Sequence, residues 1–269
     1  MGKLGTRVMA AGGKDLNLGA AWLKKTAAGA GVTVLSANLL EQGKPVFDGS
    51  TVIAVNGVRV GFIAVIQPGE LVDPRAQLTG TPLLPAVKGE LLKLKGKTDL
   101  VLLLAAVGQA DALQLSGAFK DDVDFIITSS ESRGMLPAQR ADGAWLLNPG
   151  ARGQALAQLV VKLDGKGPYV DLAEVAREKE LLQSLESRLA EFEPRLKAAT
   201  DPESKKLMQQ TVTDLKGRRA EQRKKVEQGV AKDARTFDYT YVVLNDSVVD
   251  DAPLKAEVLK HEPTYAGAH

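Results

Sequence analysis

The stretch that most constrains the fold is a nearly continuous apolar run, DLVLLLAAVG, at residues 99–108. A half-exposed strand alternates apolar with polar residues, whereas a strand covered on both faces reads as an unbroken apolar run. This run is also far shorter than the ~20 apolar residues that a membrane-spanning helix needs. It therefore predicts the central strand of a sheet with a layer on each face, and it predicts no transmembrane segment.

Strands and helices alternate on both sides of this run through residues 1–165. The patterns predict helices at 19–31, 83–97 and about 109–119, and strands at 32–38, 123–128, 144–150 and 155–165. Residues 50–66 read as two strands around Asn56-Gly57, the dipeptide most typical of a tight β-hairpin turn. This order of elements predicts a mixed α/β sandwich.

Composition changes near Asp171, after which Glu, Lys, Arg, Leu and Gln dominate to about Arg235. Apolar residues there recur with heptad spacing, with one interruption at Glu178: they are Val175, Leu182, Leu185, Leu189, Phe192 and Leu196. Such a stripe is typical of a helix that packs lengthwise against a partner helix. Pro194 is expected to kink or break this helix, because proline lacks the N–H that the helix interior requires.

A second helix is predicted after a turn at residues 200–206, where Asp201 is a suitable N-cap and Pro202 suits the first helical position. Its apolar positions are Met208, Val212, Leu215, Val226 and Val230. Two helices joined by so short a turn predict an antiparallel, coiled-coil-like hairpin. We therefore expect an α/β domain at 1–170, a helical hairpin at 171–235, and a return strand with a C-terminal tail at 236–269.

Several kinds of site are excluded by composition. The chain has no cysteine, and its two histidines, His261 and His269, both lie in the tail. Thiolate and histidine-rich metal centres are therefore excluded within the α/β domain, where a metal would need carboxylate and carbonyl ligands. The formal net charge is only +2 and aromatic residues are scarce, so no specific nucleic-acid partner is expected.

Loops that follow predicted strands carry polar residues without an evident catalytic set. Residues 123–132, VDFIITSSES, run from a buried strand into small and acidic residues. An α/β enzyme presents catalytic groups at such strand ends, yet a serine nucleophile needs a neighbouring base and no histidine lies nearby. The glycine-containing segments at 150–155 and 165–171 are predicted to be turns, and neither has the spacing of a phosphate-binding loop.

Four stretches resemble, in order and spacing, the metallophosphoesterase domain of the 5'-nucleotidase family, a branch of the calcineurin-like phosphoesterases. They are GGKDLNLGAAWL (12–23), VLSANLL (34–40), DLVLLLAAVGQAD (99–111) and VDFIITSSES (123–132). The resemblance covers roughly residues 4–165. It implies an αββα-type sandwich, in which two metal ions polarise a phosphoryl group and supply a bound hydroxide.

The resemblance also implies where the metal ligands lie, and this sequence departs from the family there. The family's asparagine and catalytic histidine correspond to Gly13 and Lys14, and its metal-binding histidines correspond to Ala106, Ser130 and Ser132. Further ligand motifs of the family precede the first matched stretch. The resemblance thus predicts that the chain keeps the fold of the family but has lost its metal ligands.

Three functions remain open at this point. The first is a non-catalytic metallophosphoesterase-like domain that acts as a scaffold or interaction module through its hairpin. The second is a metal-dependent phosphoester or nucleotide hydrolase, with two divalent ions, whose missing ligands lie outside this chain. The third is an accessory domain of an exported multihaem electron-transfer protein, which the resemblance suggests together with a periplasmic location. No cofactor is predicted under the first.

Some side chains are weak candidates for residual binding. Lys14 would bind an anion, while Asp15 and Glu131 would bind a cation, although each also reads as an ordinary solvated loop residue. The stretch KGRRAEQRKK (216–225) is a candidate contact surface for a protein partner. Its basic residues are Lys216, Arg218, Arg219, Arg223, Lys224 and Lys225. The alternative is a solvated helix face neutralised by glutamates of the opposing helix.

Overall fold

The computed structural model describes residues 1–70, 77–129, 135–140, 143–151, 153–245 and 247–264. The helices are α1 Ala20–Gly29, α2 Leu83–Leu94, α3 Gln109–Ala118, α4 Leu172–Ala198, α5 Pro202–Gln228 and α6 Ala252–His261. The strands are β1 Val8–Ala10, β2 Thr33–Leu35, β3 Leu39–Glu41, β4 Lys44–Pro45, β5 Ser50–Val55, β6 Val58–Ile66, β7 Gly69–Glu70, β8 Leu78–Gly80, β9 Leu100–Ala106, β10 Phe125–Thr128, β11 Trp145–Leu147, β12 Ala155–Lys162, β13 Tyr169–Asp171 and β14 Arg235–Val243. Short 3-10 turns lie at Gly2–Leu4 and Gly13–Leu16.

The apolar run at 99–108 forms β9, the central strand of a five-stranded sheet ordered β11-β10-β9-β6-β5. Strands β6, β9, β10 and β11 are parallel, and only β5 runs antiparallel to its neighbour. Leu103 is completely buried on one face of β9, and Leu100 and Leu102 on the other face are only 6% and 8% exposed. The prediction of a central strand covered on both faces is therefore confirmed.

The predicted hairpin at residues 50–66 is also confirmed. Strands β5 and β6 pair from Ser50 opposite Ile63 to Val55 opposite Val58. Asn56 and Gly57 form the turn with φ values of 50° and 83°. A two-residue turn needs positive φ at both positions, which asparagine and glycine adopt at least cost.

Four layers build the α/β sandwich. Helices α2 and α3 cover one face of the five-stranded sheet, with Val87 and Leu115 packed in the same core as Ile63 and Leu103. The short parallel pair β1-β2 contacts β6 and β9, and α1 packs against β2 through a second core. A small sheet ordered β4-β3-β8-β7 completes this part of the chain. The observed αββα arrangement is the predicted fold class.

Helices α4 and α5 form an antiparallel hairpin. The pairs Lys216–Glu193 and Arg223–Glu186 show this direction, since residue numbers rise along one helix and fall along the other. The predicted apolar stripe is confirmed at its outer half, where Leu185, Leu189, Val212 and Leu215 form a buried cluster with Phe192 and Leu196 packed against it.

Asp201 caps α5 as predicted, and its side chain accepts a hydrogen bond from the Ser204 N–H at 2.8 Å. Of the kink or break expected at Pro194, the break is wrong, because α4 continues through this residue to Ala198. Pro194 has no N–H to donate to the Ala190 carbonyl, so the helix lacks one hydrogen bond near its end. A four-residue extension beyond it is held by Leu196, which packs on the buried cluster of the hairpin.

The structure assigns a strand to one segment for which the sequence predicts a turn. Tyr169–Asp171 forms β13, which pairs in parallel with β14 through Tyr169 opposite Arg235. Strands β12, β14 and β13 form a three-stranded sheet in that order. Pairing with a strand more than sixty residues later overrides the local turn signal of the glycines.

By packing density the chain divides into two compact units, Met1–Ala157 with the chain from Tyr241 onward, and Gln158–Thr240. The domain boundaries predicted at 170/171 and 235/236 remain predictions. Among the residues that the structure describes, no helix is both long and apolar enough to cross a bilayer.

Candidate functional site

Ala106, one of the positions that the resemblance assigns to metal ligands, lies where parallel strands end at one edge of the sheet. Ala106 is the last residue of β9 and lies opposite Ile66, the last residue of β6. The neighbouring strand β10 ends at Thr128, and the Ser129 N–H donates to the Ala105 carbonyl at 3.0 Å. The fold therefore brings the ends of β6, β9 and β10 together, as an α/β enzyme requires.

Gln67 links two of these strand ends. Its N–H donates to the Ala106 carbonyl at 3.0 Å, and its side-chain Oε1 accepts from the Gly108 N–H at 2.9 Å. Its Nε2 donates to Asp111 Oδ2 at 2.8 Å, in the first turn of α3. The Asp111 carboxylate is therefore hydrogen-bonded to the Gln67 amide, which also holds the loop after β9.

Asn38 ties the end of β2 to the same region and is completely buried. Its Nδ2 donates to the carbonyls of Ile66 and Thr81, each at 2.8 Å, and its Oδ1 accepts from the Ile66 N–H at 2.8 Å. An asparagine that ends an apolar strand is a signal for such a role. The sequence patterns predict no functional role for Asn38, Gln67 or Asp111.

The turn after β1 holds the other predicted site residues. Gly13, Lys14 and Asp15 lie in the 3-10 turn Gly13–Leu16. The half-buried Asp15 accepts a hydrogen bond at Oδ2 from the Gly12 N–H at 2.9 Å, so its carboxylate closes its own turn. The Lys14 side chain is exposed. This turn follows β1, which belongs to the β1-β2 pair and not to the five-stranded sheet.

Ser130, Glu131 and Ser132 lie outside the described residues. At the remaining corresponding positions, glycine and alanine offer no donor atom, and lysine offers a cation. Within the described ranges, no group of three or more His, Asp or Glu side chains is placed to hold a metal ion. The donor set described here therefore does not fit a pair of divalent ions, which takes several oxygen or nitrogen ligands for each ion.

The basic stretch on α5 divides into two sets. Two of its residues form ion pairs with α4: Lys216 Nζ lies 2.8 Å from Glu193 Oε1, and Arg223 Nη2 lies 2.7 Å from Glu186 Oε1. The hydrogen bond from Lys216 lowers the pKa of the Glu193 carboxyl, and the charges of Lys197 and Arg219 lower it further. Neutralisation by the opposing helix is thus observed for Lys216 and Arg223.

Arg218, Lys224 and Lys225 are exposed, and they form no ion pair with α4 among the described residues. Arg218 reaches only Asp214 of its own helix, at 4.0 Å. Arg219 is half-buried on the side of α5 that faces α4. The candidate contact surface therefore reduces to the side chains that α4 does not neutralise.

No known family model matches the sequence, and no curated protein is significantly similar to it. Solved structures do match. The sulfate thiohydrolase SoxB of Thermus thermophilus, in complex with glycerol, has a TM-score of 0.52 at 18% identity, covering 60% of this chain and 30% of that one. Similarity at this level shows the fold, which is the metallophosphoesterase fold, and it shows no more.

Two 5'-nucleotidases are also similar. A precursor from Thermus thermophilus has a TM-score of 0.48 at 22% identity, covering 58% of this chain and 36% of that one. The enzyme of Candida albicans has a TM-score of 0.43 at 15% identity, covering 58% and 32%. The chain therefore spans about a third of the length of these solved structures.

Proposed function

We propose that this chain is a metallophosphoesterase-like domain without catalytic activity of its own, which serves as a scaffold and binds a protein partner through its helical hairpin. One observation carries the first half of the proposal. The polar groups at the strand ends bond to one another, with Gln67 on Gly108 and Asp111, and Asp15 on Gly12. Each carboxylate thus uses one oxygen in a hydrogen bond within the protein: Asp15 closes its own turn, and Asp111 holds the Gln67 amide.

The hairpin supports the second half. It contains two helices of 27 residues each, and the half nearest their connecting turn encloses a buried cluster made only of hairpin residues. Arg218, Lys224 and Lys225 are exposed on it. A rigid helical pair with unneutralised basic residues suits a partner surface of acidic character. We further propose, from the resemblance to the 5'-nucleotidase family, that the domain is periplasmic.

Metal content and hydrolysis test the loss of catalysis. The purified chain is assayed against a generic phosphodiester and AMP with Mn²⁺, Mg²⁺ and Zn²⁺ added in turn. We expect no stoichiometric metal and no turnover. Chelator-sensitive turnover that is lost in Asp15→Asn or Glu131→Gln would overturn the proposal in favour of a metal-dependent phosphoester hydrolase.

The partner-binding half has a separate test. Replacing the hairpin turn, residues 200–206, with a glycine-serine turn should abolish binding of a purified partner identified by crosslinking to the intact chain. Reversing charge with Arg218→Glu and Lys224→Glu should weaken binding, whereas the ion-paired Lys216→Gln is the matched control. Undiminished binding in the turn variant would place the contact elsewhere.

A further inference from the structure

A cleft of about 310 Å³ lies in the α/β unit between α1 and the segment Pro45–Asp48. This volume is at the small end of the range for ligand sites, about 300–1,000 Å³. Its floor is apolar and includes Val34 and Phe47, each only 8% exposed. Two side chains of opposite charge, Lys24 and Asp48, also line it and are exposed.

The backbone of β2 adds a hydrogen-bond donor to this cleft. The Thr33 N–H donates to the Arg7 carbonyl at 2.8 Å, and the Leu35 carbonyl accepts from the Ala11 N–H at 3.0 Å, so both residues direct their polar groups toward β1. Because these groups alternate along a strand, the Val34 N–H points away from β1. The Ser36 N–H points the same way and donates to the Asp48 carbonyl at 2.9 Å.

The segment Pro45–Asp48 joins β2 only at the bridge between Leu35 and Asp48. Among the described residues, the Val34 N–H therefore has no acceptor on the cleft side. An N–H without a protein acceptor takes a water or a ligand as its partner in native structures. The donor, the apolar floor and the two charges all belong to one small cleft.

The two charged side chains are not paired with each other or with any other residue that the structure describes. The Lys24 ammonium and the Val34 N–H are donors suited to a carboxylate. The Asp48 carboxylate is an acceptor suited to an ammonium group. The apolar floor of Val34 and Phe47 suits a short aliphatic side chain.

We propose that this cleft binds a small zwitterion with an aliphatic body, the chemistry of a free aliphatic α-amino acid. Its carboxylate lies at Lys24 and the Val34 N–H, and its ammonium lies at Asp48. The site is separate from the strand ends that correspond to the metal centre. It stands whether or not the chain has lost its phosphoesterase chemistry.

Amide chemical-shift titration of the full chain tests this site with L-valine as the probe. We expect a saturable shift of the Val34 amide. Isobutyrate lacks the ammonium and isobutylamine lacks the carboxylate, so each should bind roughly tenfold more weakly or worse, because each loses one charge-assisted contact.

Two variants and a matched control complete the experiment. Lys24→Met keeps the aliphatic stem and Asp48→Asn keeps the shape, and each should weaken L-valine binding roughly tenfold. Lys25→Met changes the neighbouring exposed lysine of α1, which does not line the cleft, and should leave binding unchanged. The proposal is overturned if Val34 shows no saturable shift, if isobutyrate binds as well as L-valine, or if Lys24→Met matches Lys25→Met.

Discussion

Glu90 is a buried carboxylate that depends on a glycine beside it. It is 7% exposed, accepts from Ser50 Oγ at 2.6 Å, and lies 2.6 Å from Lys93 Nζ. A Cβ on Gly49 would lie 2.4 Å from its Cδ. Because Ser50 and Lys93 hold the carboxylate at both oxygens, it has little freedom to move aside.

Gly49→Ala should therefore destabilise the protein by about 1–3 kcal/mol, the usual cost of overpacking a filled site. Urea unfolding followed by circular dichroism measures the change. Gly89→Ala is the matched control in α2, where an added Cβ meets nothing within 4 Å. It should stabilise by about 0.5–1 kcal/mol, since alanine is the better helix former. Equal changes in the free energy of unfolding for the two variants would show that the Glu90 side chain moves aside.

Asp99 carries the clearest perturbed titration of the chain. The Arg59 side chain, then the Arg59 N–H, donate hydrogen bonds that lower the Asp99 pKa from 3.8 to about 2. A folded-state pKa below the ordinary value means that this carboxylate stabilises the fold fully above about pH 4, and that its contribution disappears as pH falls toward 2.

A carboxyl NMR titration should place the Asp99 pKa near 2 in the wild-type chain and back toward 3.8 in Arg59→Gln. Arg188→Gln, in the hairpin, is the control and should leave the Asp99 pKa unchanged. An Asp99 pKa that stays low without the guanidinium would assign the effect to the Arg59 N–H alone.

Among the elements, the hairpin contains a buried polar pair where its two helices meet. Gln222 is 5% exposed, and its Nε2 donates to the Glu178 carbonyl at 2.9 Å and to the Glu178 side chain. Glu178 is the residue that interrupts the heptad stripe of α4. A single polar layer of this kind specifies register and helix direction at some cost in stability.

Gln222→Leu should destabilise the hairpin by about 1–3 kcal/mol, because it leaves Glu178 half-buried without its donor. Adding Glu178→Leu should recover that loss or more, since a matched apolar layer replaces the polar one. Thermal unfolding of the two single variants and the double variant gives the coupling energy, and light scattering reports any oligomer that a less specific seam permits. Additive effects would mean that the two side chains are energetically independent.

For the whole molecule, the two compact units each contain a buried cluster of their own. The cores of the α/β unit centre on Leu103 and on Val34, and the hairpin cluster consists of hairpin residues alone. Stability in such a chain is expected to be divided between cooperative units.

Replacing residues 185–215 with a short glycine-serine loop should accordingly leave the α/β unit folded. Hydrogen exchange should show unchanged protection for the amides of β6 and β9, because their core contains no hairpin residue. Asp201→Ala is the milder comparison: it removes only the N-cap of α5 and should cost about 1 kcal/mol. Loss of protection in β9 would show that the sheet depends on the hairpin.

The sequence alone determined the features whose causes are local. The apolar run at 99–108 identified the central strand, Asn56-Gly57 identified the hairpin turn, and Asp201-Pro202 identified the start of α5. In each case the physical reason lies in a few neighbouring residues. An unbroken apolar run suits a strand covered on both faces, Asn-Gly adopts positive φ at two positions, and an aspartate side chain caps the helix that follows it.

Tertiary structure alone decided what depends on distant partners. Tyr169 joins a strand because Arg235 lies opposite it, with its guanidinium 4.0 Å above the ring. Gln67 meets Asp111, and Val34 turns its N–H into the cleft, only once the strands are aligned. The sequence predicts which residues follow each strand. Strand pairing decides which of their polar groups meet and form hydrogen bonds. No local pattern encodes that pairing.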